Sequence, residues 1–218
     1  MAKLKDKDLA RLLVGTLYMG PTHNTAFGAA GSSTSALLDK GIDNMVMADG
    51  PQGVRNNTKS TMFASGVAVA ATWNREAVLN MGIGLGQDCR ARGVHILLGP
   101  GANIYRSPLC GRNFEYYSED GTLTGLIDTV ETLGIQEKGV YVYNKHFVLN
   151  DQEKNRAGIG TWVNEQALRE IYLRAFELPI VNADAKCVMT AFNRLGAIWS
   201  GSYRELLTDW LRGEAGMS

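Results

Sequence analysis

The sequence lacks the features that mark several large classes of protein. It has only three cysteines, Cys89, Cys110 and Cys187, at spacings that fit neither a zinc site nor a disulfide framework. We interpret them as buried free thiols. Basic and acidic residues number 22 each, and no Lys/Arg-rich run is present. A nucleic-acid partner is therefore not expected.

Long hydrophobic runs are also missing. No apolar segment reaches the ~20 residues that span a bilayer, and the charged N-terminus has no apolar stretch of signal-peptide length. These absences predict a cytoplasmic protein with no membrane partner. Hydrophobic residues nevertheless make up 45% of the chain and charged residues 20%. This composition supports a substantial core and excludes a disordered chain.

Short apolar runs alternate with helical patterns along the whole chain. We predict strands at 44–48, 94–98, 140–143 and 187–190, and helices at 6–17, 74–92, 122–138, 164–184 and 202–212. Strands that alternate with helices indicate βαβ units on a parallel sheet. Four such units are half of an eight-stranded barrel, so the predicted fold is α/β, a partial (β/α)8 barrel over residues 1–218.

Two segments of the chain are predicted loops of unusual composition. Residues 18–35 are rich in glycine, but they lack the Gly-Lys-Ser/Thr ending of a phosphate-binding P-loop, so we interpret them as a plain loop. Residues 98–120 connect a strand to a helix and carry several aromatic residues, which indicates an ordered loop. Ordered loops of this length are usually functional.

Polar residues just after the predicted strands are the candidates for ligand binding, because ligands of parallel βα folds lie beyond the carboxyl ends of the strands. These positions combine one carboxylate, several cations and an aromatic ring. They are Asp49, Arg55, Arg112, Lys145, His146, Arg156 and Phe192. A carboxylate accepts hydrogen bonds from two adjacent hydroxyls, while Arg and Lys donate to sugar oxygens. The set therefore fits a polyhydroxylated ligand such as a sugar.

Structural roles remain open for two of these candidates. Asp49 precedes Gly-Pro, so its side chain can cap a turn. Arg112 can pair with an acidic residue of its own loop, Glu115 or Glu119, and so only hold that loop together. Neither role requires a ligand.

The histidines have structural alternatives as well. His146 follows Lys145 directly, and adjacent strand residues point to opposite faces, so one of the two is expected to be solvated. A single histidine such as His146 is more often structural than catalytic. His23 and His95 show no partner pattern and are interpreted as structural or exposed. No His/Asp/Glu cluster has the spacing of metal ligands, so no metal site is predicted.

Motifs along almost the whole chain resemble one enzyme family. They are Asp49-Gly-Pro-x-Gly-x-Arg55, Ala71-Thr-Trp-Asn, Gly99-Pro-Gly-x-Asn-Ile, Pro108-Leu-Cys-Gly-Arg-Asn-Phe-Glu-Tyr-Tyr-Ser-Glu-Asp120, Lys145-His-Phe, Asn155-Arg156, Glu165-x-x-Leu-Arg-Glu-Ile-Tyr-Leu and Met189-Thr-Ala-Phe-Asn-Arg. Together they resemble the barrel domain of glycoside hydrolase family 3, the family of many β-glucosidases. The chain is similar to the first half of that barrel.

The resemblance implies a hydrolase that cleaves terminal β-glucosidic bonds by the retaining mechanism and needs no cofactor. It also implies a subsite for the non-reducing sugar, lined by the positions matching Asp49, Arg55, Arg112, Lys145, His146 and Arg156. Phe192 stands where many relatives have tyrosine, which keeps an aromatic face but removes a hydroxyl near the nucleophile.

The resemblance also implies that both catalytic carboxyl groups lie elsewhere. The family's nucleophile is an aspartate on the next strand, beyond Ser218, and its acid/base residue comes from another domain or a distant loop. Retaining hydrolysis needs two carboxyl groups about 5–5.5 Å apart. Asp120, Asp151 and Glu153 are interpreted as a helix cap and loop residues instead of substitutes. No catalytic residue is therefore predicted here, and the isolated chain is expected to be inactive.

Two other hypotheses belong to different functional classes. The chain can be a non-catalytic half-barrel that binds carbohydrate or a partner protein, or a half-barrel that a second copy completes, because exposed strand edges favour association. The predicted partners are therefore a carbohydrate and the remainder of the enzyme or another chain.

Overall fold

The computed structural model describes residues 4–15, 37–56 and 59–218. Its strands are β1 (Met47–Asp49), β2 (Ile96–Leu98), β3 (Tyr141–Phe147), β4 (Gly160–Thr161), β5 (Cys187–Thr190), β6 (Arg194–Leu195) and β7 (Ile198–Trp199). The central sheet has the order β1-β2-β3-β5, and all its neighbouring pairs are parallel. The four predicted strands are therefore confirmed, and within the described ranges the sheet does not close into a barrel.

Helices connect the strands of the central sheet. They are α1 (Asp6–Leu12), α2 (Gly66–Ala71), α3 (Arg75–Ala91), α4 (Gly121–Glu137), α5 (Glu165–Ala167) and α6 (Arg174–Ala183), with π-helical segments at Leu168–Leu173 and Glu205–Glu214 and short 3₁₀ turns at Leu38–Lys40, Asn113–Glu115 and Ser200–Ser202. The predicted helix at 164–184 corresponds to α5, the first π-helical segment and α6. No helix in the described part of the chain is long and apolar enough to cross a membrane.

Side-chain caps fix where the two long helices begin. Asn74 Oδ1 accepts hydrogen bonds from the backbone N–H groups of Glu76 and Ala77 at 3.0 and 3.1 Å, so Asn74 is the N-cap of α3. Asp120 Oδ1 accepts from Leu123 N at 2.6 Å, so the prediction that Asp120 caps the following helix is also confirmed.

Strand β3 is longer than predicted. Its expected end was residue 143, but it continues through Phe147, so Lys145 and His146 lie within the strand. The polar residues stay in the strand because the backbone of Lys145 is bonded to the chain beyond β2. Lys145 N donates to Pro100 O at 3.0 Å, and Ala102 N donates to Lys145 O at 2.7 Å.

Two predicted element bounds differ from the structure, and some predictions concern residues that the structure does not describe. Strand β1 begins at Met47, three residues later than expected, and α1 ends at Leu12. The predicted end of that helix, the glycine-rich loop 18–35 and His23 lie outside the described residues. Helix α2 was not predicted. The small sheet β4-β6-β7 was not predicted either, because two-residue strands are too short to show a period.

The main core lies between the sheet and its helices. Phe147, at the end of β3, is fully buried; its ring meets Phe176 edge-on at 5.2 Å and stacks on Trp210 at 5.8 Å between centroids. Helices α3 and α4 approach closely at glycines: a Cβ added to Gly82 would lie 2.4 Å from Glu131 O. Rigid packing of this kind fixes the carboxyl edge of the sheet, where the candidate residues lie.

Candidate functional site

The carboxyl edge of the sheet brings Asp49 and Lys145 together. Asp49 is the last residue of β1, and Lys145 comes from β3, on the far side of β2. Lys145 Nζ lies 2.9 Å from Asp49 Oδ1. The lysine residue is 1% exposed, whereas the aspartate remains partly open to solvent. The pair is thus a buried ammonium group that holds an accessible carboxylate in place.

His146 is fixed beside this pair by Asn103, which lies in the loop that follows β2. His146 N donates to Asn103 Oδ1 at 2.7 Å, and Asn103 Nδ2 donates to His146 O at 2.9 Å. His146 Nδ1 lies 3.0 Å from the Tyr116 hydroxyl, which itself accepts from Asn150 Nδ2 at 3.0 Å. His146 Nδ1 also lies 3.2 Å from Asn103 Oδ1, so this nitrogen is engaged within the protein and Nε2 is the ring nitrogen left for a ligand.

Three cations influence the pKa of the His146 ring. Burial lowers the pKa of His146 well below its usual value, and the positive charges of Arg112, Lys145 and Arg156 lower it further. The imidazole is therefore neutral at physiological pH. Each of these three charges acts on one ring, so Arg112, Lys145 and Arg156 lie within electrostatic range of His146, and we call these four residues and Asp49 the Asp49 cluster.

Two of the cations are positioned by carboxylates and an aromatic ring. Arg112 forms an ion pair with buried Glu115, so its structural alternative is confirmed, and the pair also anchors the guanidinium near the cluster. Arg156 Nη1 lies 2.8 Å from Glu153 Oε2, and its guanidinium lies 4.8 Å from the centroid of the Phe192 ring. Phe192 is half-exposed, with room for a further group to contact it.

The remaining predictions, for Arg55, for the solvation of Lys145 or His146, and for His95, have different outcomes. Arg55 donates its backbone N–H to Asp49 O at 2.7 Å, but its side chain is exposed, so only its backbone is tied to the cluster. The prediction that Lys145 or His146 is solvated is wrong: both are buried, because β3 continues between β2 and β5. His95 is structural, with its Nδ1 accepting from Val46 N at 3.0 Å.

Sequence analysis missed the residues that orient the cluster. Asn103, Tyr116 and Asn150 are buried, and Glu153 links Asn150 to Arg156. Asn103 follows β2 closely, so the rule that selected Asp49 also applies to it. Tyr116 and Asn150 meet across distant loops, although Tyr116 lies within a family motif, whereas Glu153 bonds to residues three positions away on either side in its own loop.

The three cysteines are free thiols in the structure. Cys89 and Cys110 are buried free thiols as expected, whereas Cys187 is only partly buried. Burial raises the pKa of Cys89 to about 12, which keeps this thiol protonated. Across residues 4–15, 37–56 and 59–218, no group of three or more His, Cys, Asp or Glu side chains is placed to hold a metal ion.

A family model described as the glycosyl hydrolase family 3 N-terminal domain matches residues 1–218. The chain belongs to this family. Thermostable beta-glucosidase B of Acetivibrio thermocellus is 43% identical over 186 residues, which cover 80% of this chain and 25% of that protein. The beta-glucosidase of Ruminococcus albus is 39% identical over 219 residues, which cover 99% of this chain and 23% of that protein. The chain thus spans about a quarter of the length of these family 3 relatives.

Solved structures of family 3 enzymes share the fold. Beta-glucosidase 3B from Thermotoga neapolitana, in complex with glucose, is 41% identical and superposes with a TM-score of 0.93. The match covers 98% of this chain and 32% of that one. For the family 3 beta-glucosidase of Bifidobacterium adolescentis the TM-score is 0.85 at 37% identity, covering 88% and 29% of the two chains. These likenesses confirm the predicted fold, parallel strands alternating with helices as part of a larger barrel.

Proposed function

We propose that this chain is the sugar-holding part of a β-glucosidase. In the complete enzyme it binds the terminal glucosyl unit of a β-glucoside, whose glycosidic bond is hydrolysed by the retaining mechanism. The observation that carries this proposal is the contact of 2.9 Å between Asp49 and Lys145 at the carboxyl edge, beside neutral His146. The names of the relatives and the glucose complex of the Thermotoga protein support the substrate class.

Each residue of the cluster has a separate role in this proposal. The Asp49 carboxylate accepts hydrogen bonds from two adjacent sugar hydroxyls, and Lys145 holds it in orientation. His146 offers Nε2 to the ligand, since its Nδ1 faces Tyr116 and Asn103. Arg112 and Arg156 donate to further hydroxyls, and Phe192 offers an apolar face. Arg55 is kept as an outer binding residue whose side chain reaches the ligand from the exposed side.

The two catalytic carboxyl groups come from elsewhere in the enzyme. Asp120 caps α4, and both oxygens of Glu153 are engaged by Arg156 and Asn150. Neither is free to act as a nucleophile or an acid. In this proposal the remainder of the enzyme is the partner that supplies both groups, as the family resemblance implies, and no cofactor takes part.

Binding and turnover by the purified 218-residue chain test the proposal together. We expect calorimetric titration with methyl β-D-glucopyranoside to show binding, and an aryl β-glucoside to remain uncleaved. Asp49→Asn should weaken binding about tenfold or more, because an amide accepts fewer hydroxyl bonds than a carboxylate and loses its lysine partner.

A second aspartate–lysine pair provides the matched control. Asp39, 3.2 Å from Lys40, lies in a 3₁₀ turn, so Asp39→Asn should bind as the wild type does. Hydrolysis by the lone chain would overturn the assignment of the catalytic groups. Equal affinity of the Asp49→Asn and wild-type chains would overturn the assignment of the subsite.

A further inference from the structure

A second pocket lies away from the Asp49 cluster. It has a volume of about 390 Å³ and lies between the segment after β4, the start of α5, and the π-helix Glu205–Glu214. Its lining includes Trp162, Tyr203 and Trp210 together with Glu165, Arg169 and Glu205, and none of the seven predicted site residues. Small-molecule sites in proteins usually have volumes of about 300–1,000 Å³.

Trp162 gives this pocket an open aromatic surface. The residue is 81% exposed, although tryptophan normally buries most of its surface. Its ring rests on two glycines: a Cβ added to Gly196 would lie 3.5 Å from Trp162 Cζ3, and one added to Gly160 would lie 3.7 Å from Trp162 Nε1. Gly196 also has a positive φ of 61°. The indole is thus supported from below and presents its remaining surface to solvent.

The floor of the pocket is rigid. Trp210 is buried and stacks on Phe147, so the pocket is built directly on the main core. Arg169 is held at the rim, with Nε 2.9 Å from Glu165 Oε1 and Nη1 2.5 Å from Glu214 Oε2. Such fixed groups lose little freedom when a ligand binds.

The polar lining selects one class of ligand. Glu165 is paired with Arg169, so Glu205 is the carboxylate that disfavours an anion, while the charged rim disfavours a purely apolar molecule. Among the described residues Glu205 has no hydrogen-bonded or ionic partner, so its oxygens are free to accept. A neutral ligand with one C–H-rich face and several hydroxyls matches both the electron-rich indole face and the oxygen acceptors. A pyranose ring has this shape.

We propose that this pocket is a second carbohydrate-binding site, in which Trp162 stacks on a hexopyranose unit and Glu205 accepts its hydroxyls. The site binds sugar independently of the Asp49 cluster, so it extends the proposed function without resting on the same residues. In a family 3 enzyme it holds a distant unit of a longer glucan or a separate sugar molecule.

Indole NMR of the 218-residue chain tests this proposal. The four tryptophans, Trp73, Trp162, Trp199 and Trp210, each give one ¹⁵N indole resonance, which single substitutions assign. On titration with cellobiose, the Trp162 and Trp210 resonances should both shift and give the same dissociation constant, on the order of 1 mM. The Trp73 resonance should not shift. No movement of either pocket resonance at ~100 mM cellobiose, about 100-fold above a millimolar dissociation constant, would overturn the proposal.

Variants separate stacking from a merely structural effect. Trp162→Ala should weaken the binding seen at Trp210 about tenfold or more, and Trp162→Phe should restore most of it, because the phenyl ring still stacks. Trp73, also exposed, is the matched control, and Trp73→Ala should leave binding unchanged. Equal binding by Trp162→Ala and wild type would contradict the proposal. Thermal melts confirm that each variant is folded.

The Asp49→Asn chain distinguishes this site from the proposed subsite. If the two are separate, this variant loses sugar binding at the Asp49 cluster but keeps the cellobiose isotherm at Trp210. Loss of both signals would show one coupled site and overturn the independence claimed here. A chain that never binds sugar at Asp49 but still shows the Trp210 isotherm would refute only the proposed function.

Discussion

Replacing Asp128 by asparagine should remove much of the pH dependence of stability. Asp128, on α4, is fully buried. Its Oδ1 accepts from Asn144 Nδ2 at 2.5 Å and Thr132 Oγ1 at 2.9 Å, while Oδ2 has no hydrogen-bond partner among the described residues. Within the same described ranges, Asn144 Oδ1 also lacks one. Burial raises the pKa of Asp128 from 3.8 to about 7, and that of Glu131 on the same helix to about 8.

The sign and size of the effect follow from proton linkage. Below pH 3.8 the carboxyl of Asp128 is protonated in both the folded and the unfolded chain. Between pH 3.8 and about 7 only the unfolded chain ionises, so the folded state loses stability as the pH rises. This interval covers about three pH units at about 1.4 kcal/mol each, or about 4 kcal/mol in all. Total stabilities of domains are only about 5–15 kcal/mol.

Urea unfolding at several pH values measures this effect. The asparagine side chain of the variant has no ionisable proton, and its amide can donate where Oδ2 lay. The stability advantage of Asp128→Asn over wild type should therefore grow with pH up to about 7 and then stay constant. Glu137→Gln, an exposed carboxylate at the end of α4, is the control and should follow the wild-type curve. Parallel curves for Asp128→Asn and wild type would refute the reasoning.

Three further substitutions test the packing and caps by the same assay. Asn74→Ala removes the cap of α3 and should cost about 1 kcal/mol; an unchanged midpoint would show that the cap is dispensable. Phe147→Ala empties a fully buried position between two aromatic rings and should cost about 3–5 kcal/mol, and a loss below about 1 kcal/mol would contradict the described core. Gly82→Ala places a methyl group 2.4 Å from a backbone oxygen and should cost about 1–3 kcal/mol, whereas Gly158→Ala, with its nearest atom at 3.7 Å, should be nearly neutral.

The central sheet was predictable because its strands are short apolar runs covered on both faces. The true end of β3 was not, since Asn144, Lys145 and His146 read as polar residues beyond the strand. Lys145 and His146 remain in it because distant groups form hydrogen bonds with them. Lys145 bonds to Asp49, which lies 96 residues earlier in the chain. His146 bonds to Asn103, which lies 43 residues earlier. Local sequence patterns carry no information about such pairings.

The candidate site was predictable in its members but not in its arrangement. The strand-end rule and the family motifs selected residues that the structure gathers around His146. They did not reveal that His146 is buried and neutral, because its pKa is lowered first by burial and then by the charges of Arg112, Lys145 and Arg156. The exposed indole of Trp162 also escaped notice, since exposure depends on the two glycines beneath it.

NMR of the histidine rings tests the central claim most directly. In the ¹⁵N-histidine-labelled chain, glucose should shift the His146 resonances, because the Nε2 atom is proposed to contact the sugar. His95, whose Nδ1 is bonded to Val46 N, should remain unchanged in the same titration. A glucose-dependent shift confined to His146, and lost in Asp49→Asn, is the predicted result. Saturable glucose binding that leaves the His146 resonances unmoved would contradict the account.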